Sequence, residues 1–433
     1  MMLEIDKLSV SEIISLQERK LKGLLSYVIV KSPFYSNLFK EQHIDISKIE
    51  TLKDLKNIPT TSKEDLQVHN MDFLCVPKHK VLEYTTTSGT LGAPVTIALT
   101  RKDINRLAYN EYLSFQCSGA SSKDIFQLVL TLDKQFMAGI AYYLGALRLK
   151  AGVIRTGPGA PSMQWETISR VNTTSLVIVP SFILSLIEYA QDNHINYRDS
   201  SVKRAVCIGE NIRNEHFEYN TIGKRIKEQW NIELYSTYAS TEIQTAFTEC
   251  KYGVGGHLHP ELLIAEILDD EGNPLEPGEK GELTITTLGV EGMPLIRYRT
   301  GDICALYDSP CKCGRNTLRI SPILGRKKQI IKFKGTSLYP SAIYEILNGN
   351  SNIIDYVLEV TSSELDTDNI TIWIAAKDQS DKLLSKLISY LHASLRVMPE
   401  IIFTNIEKIR EKQIVGVGRK PQRFIDNRVI KEP

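Results

Sequence analysis

FQLVLTL (Phe126–Leu132), MAGIAYYLGALRL (Met137–Leu149), GVIRT (Gly152–Thr156), TTSLVIVP (Thr173–Pro180), FILSLIEYAQ (Phe182–Gln191) and KRAVCIG (Lys203–Gly209) follow one another in the middle of the chain. Short β-rich apolar runs alternate there with longer stretches at helical spacing. That alternation marks an α/β sheet whose parallel strands are buried on both faces. From Leu262 the rhythm changes. LLIAEIL, GELTITT and ICALY, separated by turns such as DEGNPLEPGEKGE, predict antiparallel strands in a small barrel or distorted sheet.

Toward the N-terminus, apolar residues at helical spacing predict a helix to about Tyr35, with Pro33 as its stop. IPTTSKEDL (Ile58–Leu66) places Thr61 or Ser62 as the cap of another helix, with acidic residues in its first turn. Past the basic string GRKKQIIKFKG (Gly325–Gly335) a new compact pattern starts. Helix SAIYEILNG, strands YVLEV and NITIWIAA, helix SDKLLSKLISYLHASLR and strand IIF read as a small α+β unit. The fold class expected is α/β. Residues 1–325 form a large domain of mixed and parallel sheets layered with helices, with a small antiparallel β subdomain, and residues 326–433 form a small α+β domain.

A chain of 433 residues exceeds one ordinary hydrophobic core, in keeping with that division. Lys+Arg 52 against Asp+Glu 51 leaves no global field for a polyanion, so nucleic acid is not expected as a partner. The N-terminal MMLEIDKLSVSEI lacks the basic-then-apolar run of a signal peptide, and no apolar stretch reaches the ~18 residues of a spanning helix. A cytoplasmic protein without a membrane partner is expected. Seven cysteines, an odd number, argue against a disulfide framework.

Tyr84-Thr85-Thr86-Thr87-Ser88-Gly89-Thr90-Leu91-Gly92-Ala93-Pro94 concentrates hydroxyls and glycines. Glycines permit the backbone geometry that turns N–H groups toward an anion, and hydroxyls add short donors. By itself such a string is either a phosphate loop or a polar hairpin. It is not the GxxxxGK[ST] loop of phosphoryl transfer. It does resemble the Thr/Ser/Gly loop of adenylate-forming enzymes, and three further strings match in order. Tyr238-Ala239-Ser240-Thr241-Glu242 is similar to the family's Tyr-Gly-x-Ser/Thr-Glu element, Arg297-Tyr298-Arg299-Thr300-Gly301-Asp302 to its Tyr-x-Thr-Gly-Asp string, and Gly209-Glu210 to the turn beside the adenine.

The resemblance implies that Thr86, Thr87, Ser88, Gly89 and Thr90 hold the pyrophosphate end of ATP. Thr241 would hold the α-phosphate and Glu242 would support a magnesium ion. Asp302 would accept hydrogen bonds from both ribose hydroxyls, a good match of an ionised carboxylate to a vicinal diol. Gly325-Arg326-Lys327-Lys328-Gln329 resembles the hinge of a mobile C-terminal domain. Arg326 would contact ribose or phosphate, Lys328 would sit at the pivot, and the Gly335 region would face the thiol. Gly418-Arg419-Lys420-Pro421-Gln422-Arg423 matches the terminal Gly-Lys-x-x-Arg pattern with one residue inserted, which makes Lys420 the adenylation lysine. A mobile cation suits a step in which negative charge builds on phosphoryl oxygens.

Within the superfamily the match is to the phenylacetate-CoA ligase branch and spans nearly the whole chain. Ser32-Pro33-Phe34-Tyr35 and Leu55–Leu66 resemble two of the branch's N-terminal signatures, and Phe136–Gly159 occupies the place of its acyl-pocket segment. The activity implied by this resemblance is ATP-dependent activation of an aryl or other acyl acid to an acyl-adenylate, then transfer to coenzyme A with release of AMP and pyrophosphate. The alternative acceptor is a carrier-protein thiol or an amine. Relatives imply a homodimer.

Cys250, His257 or His259, and the pair Cys311 and Cys313 are compatible with a four-ligand structural zinc site, since zinc takes thiolate and imidazole ligands tetrahedrally. Some relatives in the branch carry such a set, and His257 keeps the better register. Cys75, Cys117, Cys207 and Cys304 lie in apolar runs and read as small core residues.

Overall fold

The strands of the opening stretch form one side of a nine-stranded sheet in the computed structural model of the protein, which describes residue 5 and residues 8–87, 94–333, 336–362, 368–414 and 422–428. From one edge the order is Gly152–Arg155, Ile125–Val129, Ser175–Ile178, Arg204–Cys207 and Glu233–Ser240, all parallel. Four antiparallel strands continue it: Thr245–Glu249, Gly256–His257, Arg319–Ile320 and Leu306–Tyr307.

Alternation explains why the parallel runs are largely apolar. Leu176, Ile178, Ala205 and Cys207 enter one core with Ile183 and Leu186 of the helix Pro180–Asp192 and with Trp165 of the helix Pro161–Val171. Val177, Val206, Phe126 and Leu128 enter another with Phe115 of Arg101–Cys117 and Tyr142 of Met137–Leu149. Both faces are covered, and the polar Gln127 is tolerated in the strand Ile125–Val129 because it donates to Gln164 and accepts from Thr173.

The chain's first parallel strand, Ile125–Val129, lies between its second and its third, so the winding direction reverses there. In open α/β sheets ligands bind outside the carboxyl ends of strands near such a reversal. Because the strands are parallel, the residues after Ile178, Cys207 and Ser240 share one edge of the sheet.

The strands Leu263–Leu268 and Gly281–Thr287 pair antiparallel in register, Ala265 opposite Ile285, over the core built on Leu21, Tyr35, Phe73 and Met293. In that part the expectation for Pro33 needs correction. The first helix ends earlier, at Lys31, and Pro33 opens a second, Pro33–Glu41. Ser32 caps both, its N–H bonding Val28 and its hydroxyl accepting from Tyr35, and Pro at a first helical position forfeits no hydrogen bond. Ser62 caps Lys63–Val68 through a capping box with Asp65.

By compactness the chain divides into two units, the second made of residues 88–92, 301–303 and 324–433. Within the second, Glu400–Thr404, Asp368–Ala376, Ile353–Ser362 and Phe424–Asn427 form a four-stranded mixed sheet. Ile343 and Leu347 of the helix Pro340–Asn348, and Leu383, Leu387 and Leu391 of Asp381–Leu395, pack on it. No helix among the described residues is long and apolar enough to cross a membrane.

Candidate active site and metal cluster

At the carboxyl ends of the parallel strands the first unit presents two of the strings. Gly209, at φ 75°, turns the chain after Arg204–Cys207, a left-handed conformation that glycine adopts without strain. Glu210 then reaches back to the start of the helix Pro180–Asp192, accepting from the Ser181 N–H at 2.9 Å and the Ser181 hydroxyl at 3.0 Å. Tyr238, Ala239 and Ser240 end the last parallel strand, and Thr241 and Glu242 form the turn back into Thr245–Glu249. Glu242 is buried, and the Ser240 hydroxyl accepts from the Ile243 N–H at 3.4 Å.

Thr86 ends the strand Val81–Thr86, paired with Thr96–Thr100. Thr87 closes that hairpin twice: its N–H donates to the Val95 carbonyl and its hydroxyl accepts from the Val95 N–H, each at 3.0 Å. Ser88, Gly89 and Thr90 lie outside the described residues, as do Gly335 and Lys420. In the second unit Asp302 pairs with Arg326, Oδ1 to Nε 3.3 Å, across a two-residue ladder. Lys328 lies in the one-turn segment Lys327–Gln329, its carbonyl held by Arg428 at 2.8 Å. Two arginines of the Asp302 string anchor its strand. Arg297 pairs with Glu266 at 3.1 Å and Arg299 with Glu282 at 2.6 Å.

Cys250, His257, Cys311 and Cys313 bring one ligand atom each to within 4.8 Å of one another. Cys250 immediately follows the strand Thr245–Glu249, His257 ends Gly256–His257, and the two remaining cysteines sit on the loop between Leu306–Tyr307 and Arg319–Ile320. Gly314, at φ 91°, tightens that loop, its N–H donating to the Cys311 carbonyl at 2.9 Å. The closest approaches are Cys250 Sγ to Cys311 Sγ, 3.7 Å, and Cys313 Sγ to His257 Nε2, 3.5 Å.

Thr317 holds the far side of the ring, Oγ1 to Nδ1 3.0 Å, which aims Nε2 inward. The Arg315 guanidinium lies 3.6 Å from the Cys313 sulfur. A hydrogen bond from Cys250, added to those of His257, holds the Cys313 thiol far below its ordinary value against its burial. Burial opposes the charged form of His257, but the Cys311 and Cys313 sulfurs outweigh it and hold the imidazole above its ordinary value. His259 is not in the cluster. It is buried, its Nε2 has no partner among the described residues, and burial pushes its imidazole down to about 3. Cys117, read from sequence as a small core residue, is buried and packs against Cys250 and Cys311.

Sequence reasoning missed Arg106. Buried in Arg101–Cys117, it donates to the carbonyls of Leu288, Gln244 and Leu262 and to the Thr245 hydroxyl, tying the Glu242 turn to the antiparallel strands. Nothing in a helical stretch with ordinary charges signals such a role.

Known proteins supply the remaining context. Residues 26–292 match the model of the AMP-binding enzyme family. The chain belongs to that family. Among AMP-binding enzymes and their kin it is 29% identical to the phenylacetate-coenzyme A ligase of Thermus thermophilus over 366 residues, 83% of this chain and 81% of the relative. It is 28% identical to the phenylacetate-coenzyme A ligase of Escherichia coli, over 79% of this chain and 77% of that protein. In fold it resembles 2-hydroxyisobutyryl-CoA ligase in the postadenylation state with 2-HIB-AMP, with a TM-score of 0.84, 21% identity, and coverage of 97% of this chain and 91% of that one.

Proposed function

We propose that the protein is an AMP-forming acid–thiol ligase: it joins a carboxylic acid to the α-phosphate of ATP, releasing pyrophosphate, and then transfers the acyl group to coenzyme A, releasing AMP. The observation that carries this reading is the string Tyr238–Glu242 at the carboxyl end of the last parallel strand, on the sheet edge that also bears Gly209–Glu210, in a chain matching acid–CoA ligases over about four-fifths of both lengths. The acid is an aryl acid of the phenylacetate kind or another acyl acid.

A carboxylate is already a nucleophile, so the protein's task is positioning and charge stabilisation. Thr86, Thr87, Ser88, Gly89 and Thr90 take the pyrophosphate end, Thr241 the α-phosphate and Asp302 the ribose diol. Gly209 and Glu210 border the adenine, and Tyr238, Ala239 and Ser240 flank the adenylate. Glu242 is the residue to hold a magnesium ion, which neutralises phosphate charge when bound. Lys420 bridges the acid's carboxylate and the α-phosphate. Residues 326–433 turn about Lys328 between the half-reactions, exchanging Lys420 for the Gly335 region and moving Arg326 with it.

The donor set of Cys250, His257, Cys311 and Cys313, three sulfurs and one imidazole in a closed arrangement, fits zinc in a structural role. With these four residues as its ligands, zinc would have no position left for a reactant.

The test is ATP–pyrophosphate exchange over a panel of aryl and fatty acids, followed by AMP release with and without CoA. Exchange with at least one acid and CoA-dependent AMP release are expected. AMP formation indifferent to CoA would instead point to a carrier-protein thiol or an amine as acceptor. Lys420→Ala should abolish exchange while thioester formation from a supplied acyl-adenylate survives; equal loss of both steps would refute its role.

A further inference from the structure

Gln244 closes the turn that begins with Thr241 and Glu242, and it does so at a cost. Its backbone stands in the left-handed region at φ 51°, which disfavours a non-glycine residue. Its side chain is sealed from solvent, the residue being 1% exposed, yet among the described residues neither Oε1 nor Nε2 has a hydrogen-bond partner. Burying a polar group without a partner is costly, and a leucine of similar size would avoid that penalty. The backbone is not free to turn the group outward, because Arg106 Nη1 grips the Gln244 carbonyl at 2.7 Å.

A second unmatched group stands on the element packed against this turn. Glu111, on the helix Arg101–Cys117, is 4% exposed; its Oε1 accepts from Asn110 at 2.9 Å, while its Oε2, with the Ser114 hydroxyl nearby, has no aligned hydrogen-bond partner among the described residues. Asn110 also takes the Ala246 N–H at 3.1 Å, so this helix face is docked on the same hairpin. Burial pushes the Glu111 carboxyl up to about 8, so near neutral pH it carries a proton to donate. The opposite boundary is the helix Met137–Leu149, inside the segment read as the acyl pocket. Its Gly145 approaches so closely that an added Cβ would lie 2.3 Å from that of Glu111. Met137 and Ala141 of this helix share a core with Ile243 and Phe247.

Donors and acceptors left open on packed elements, beside the turn given to the adenylate, define a guest that both accepts and donates. We propose that Gln244, with Glu111 on the helix docked against its hairpin, forms a polar wall of the acid pocket, and that the acid carries a hydroxyl group beyond its carboxylate. This rests on the ligase function proposed above and names its substrate class: hydroxylated acids over their plain aryl or alkyl parents. A site built to hydrogen-bond a hydroxyl rejects the analogue without it by far more than a pocket of methylenes discriminates, up to about 10⁴-fold.

Matched pairs test it in the exchange assay: 4-hydroxyphenylacetate with phenylacetate, 3-hydroxybenzoate with benzoate, 3-hydroxybutyrate with butyrate. In at least one pair the hydroxylated acid is expected to have roughly 100-fold higher kcat/KM. Gln244→Leu should reduce that ratio at least about tenfold while the melting temperature holds or rises, since an unmatched buried amide is removed. Pairs within about threefold of each other would overturn the inference and leave the ligase function standing. A Gln244→Leu protein that melts lower and loses both members of a pair alike would also overturn it, by showing a structural amide. Absence of exchange with every acid would defeat the ligase function itself and this inference with it.

Discussion

The two ends of the hairpin formed by Glu233–Ser240 and Thr245–Glu249 both bury polar side chains, and they do so in opposite ways. At the end carrying Cys250, three thiols and an imidazole converge on one another, and Thr317 and Arg315 support them from behind. At the turn end, Glu242 and Gln244 are buried, and the Gln244 amide is matched by nothing among the described residues. Thr237 and Thr248, hydroxyl to hydroxyl at 2.8 Å, lie between them. A cluster whose members all point at a common centre is built for a resident; a buried group left unmatched on a docked surface is built for a visitor. The two ends should therefore fail differently.

The largest effect is expected at the resident end. Cys313→Ala should remove one equivalent of zinc, read by elemental analysis, and destabilise the protein by about 3 kcal/mol or more, because metal binding there is folding free energy. A protein that retains its melting temperature after full metal extraction would break the contrast. At the turn end, Glu242→Gln should leave the melting temperature within a few degrees and reduce pyrophosphate exchange roughly 10²–10³-fold, the scale of losing one preorganised charge at a reacting phosphate. Equal losses of stability in both variants would mean that the hairpin has two structural ends.

These ends differ too in how far the sequence discloses them. Cys-x-Cys with a distant Cys and His is legible because few residue types bind zinc, and even the choice of His257 could be argued from register. The parallel core was legible because strands such as Ser175–Ile178, buried on both faces, are nearly all apolar, and Ser175 is accommodated by donating its hydroxyl to Asp124. Pro33 misled for a local reason: a proline that stops one helix also suits the first turn of the next, and only the dual cap at Ser32 decides. Arg106, Asn110 and Glu111 left no trace, because charges at helical spacing look like a solvated face until the packing of the hairpin shows them buried. Gln244 was hidden for the same reason, since an unmet hydrogen bond is a property of neighbours rather than of composition.

The smallest effect sharpens the comparison by pH. Glu111 ionises near 4.5 when the chain is unfolded, whereas burial in the folded protein pushes it up to about 8. Between those values unfolding releases a proton, so rising pH favours the unfolded state, by at most about 1.4 kcal/mol per pH unit from this group. Below 4.5 the carboxyl is neutral in both states and contributes no pH dependence. Glu111→Gln keeps the shape and the hydrogen bond from Asn110 in reach while removing the ionisation. Its stability relative to the unsubstituted protein should therefore be nearly level at about pH 4 to 4.5 and improve steadily toward about pH 8, as followed by urea unfolding at successive pH values. Parallel curves across that range would mean that Glu111 ionises without penalty in the folded state, and the helix docked on the Gln244 hairpin would then hold a charge instead of the proton donor assigned to it.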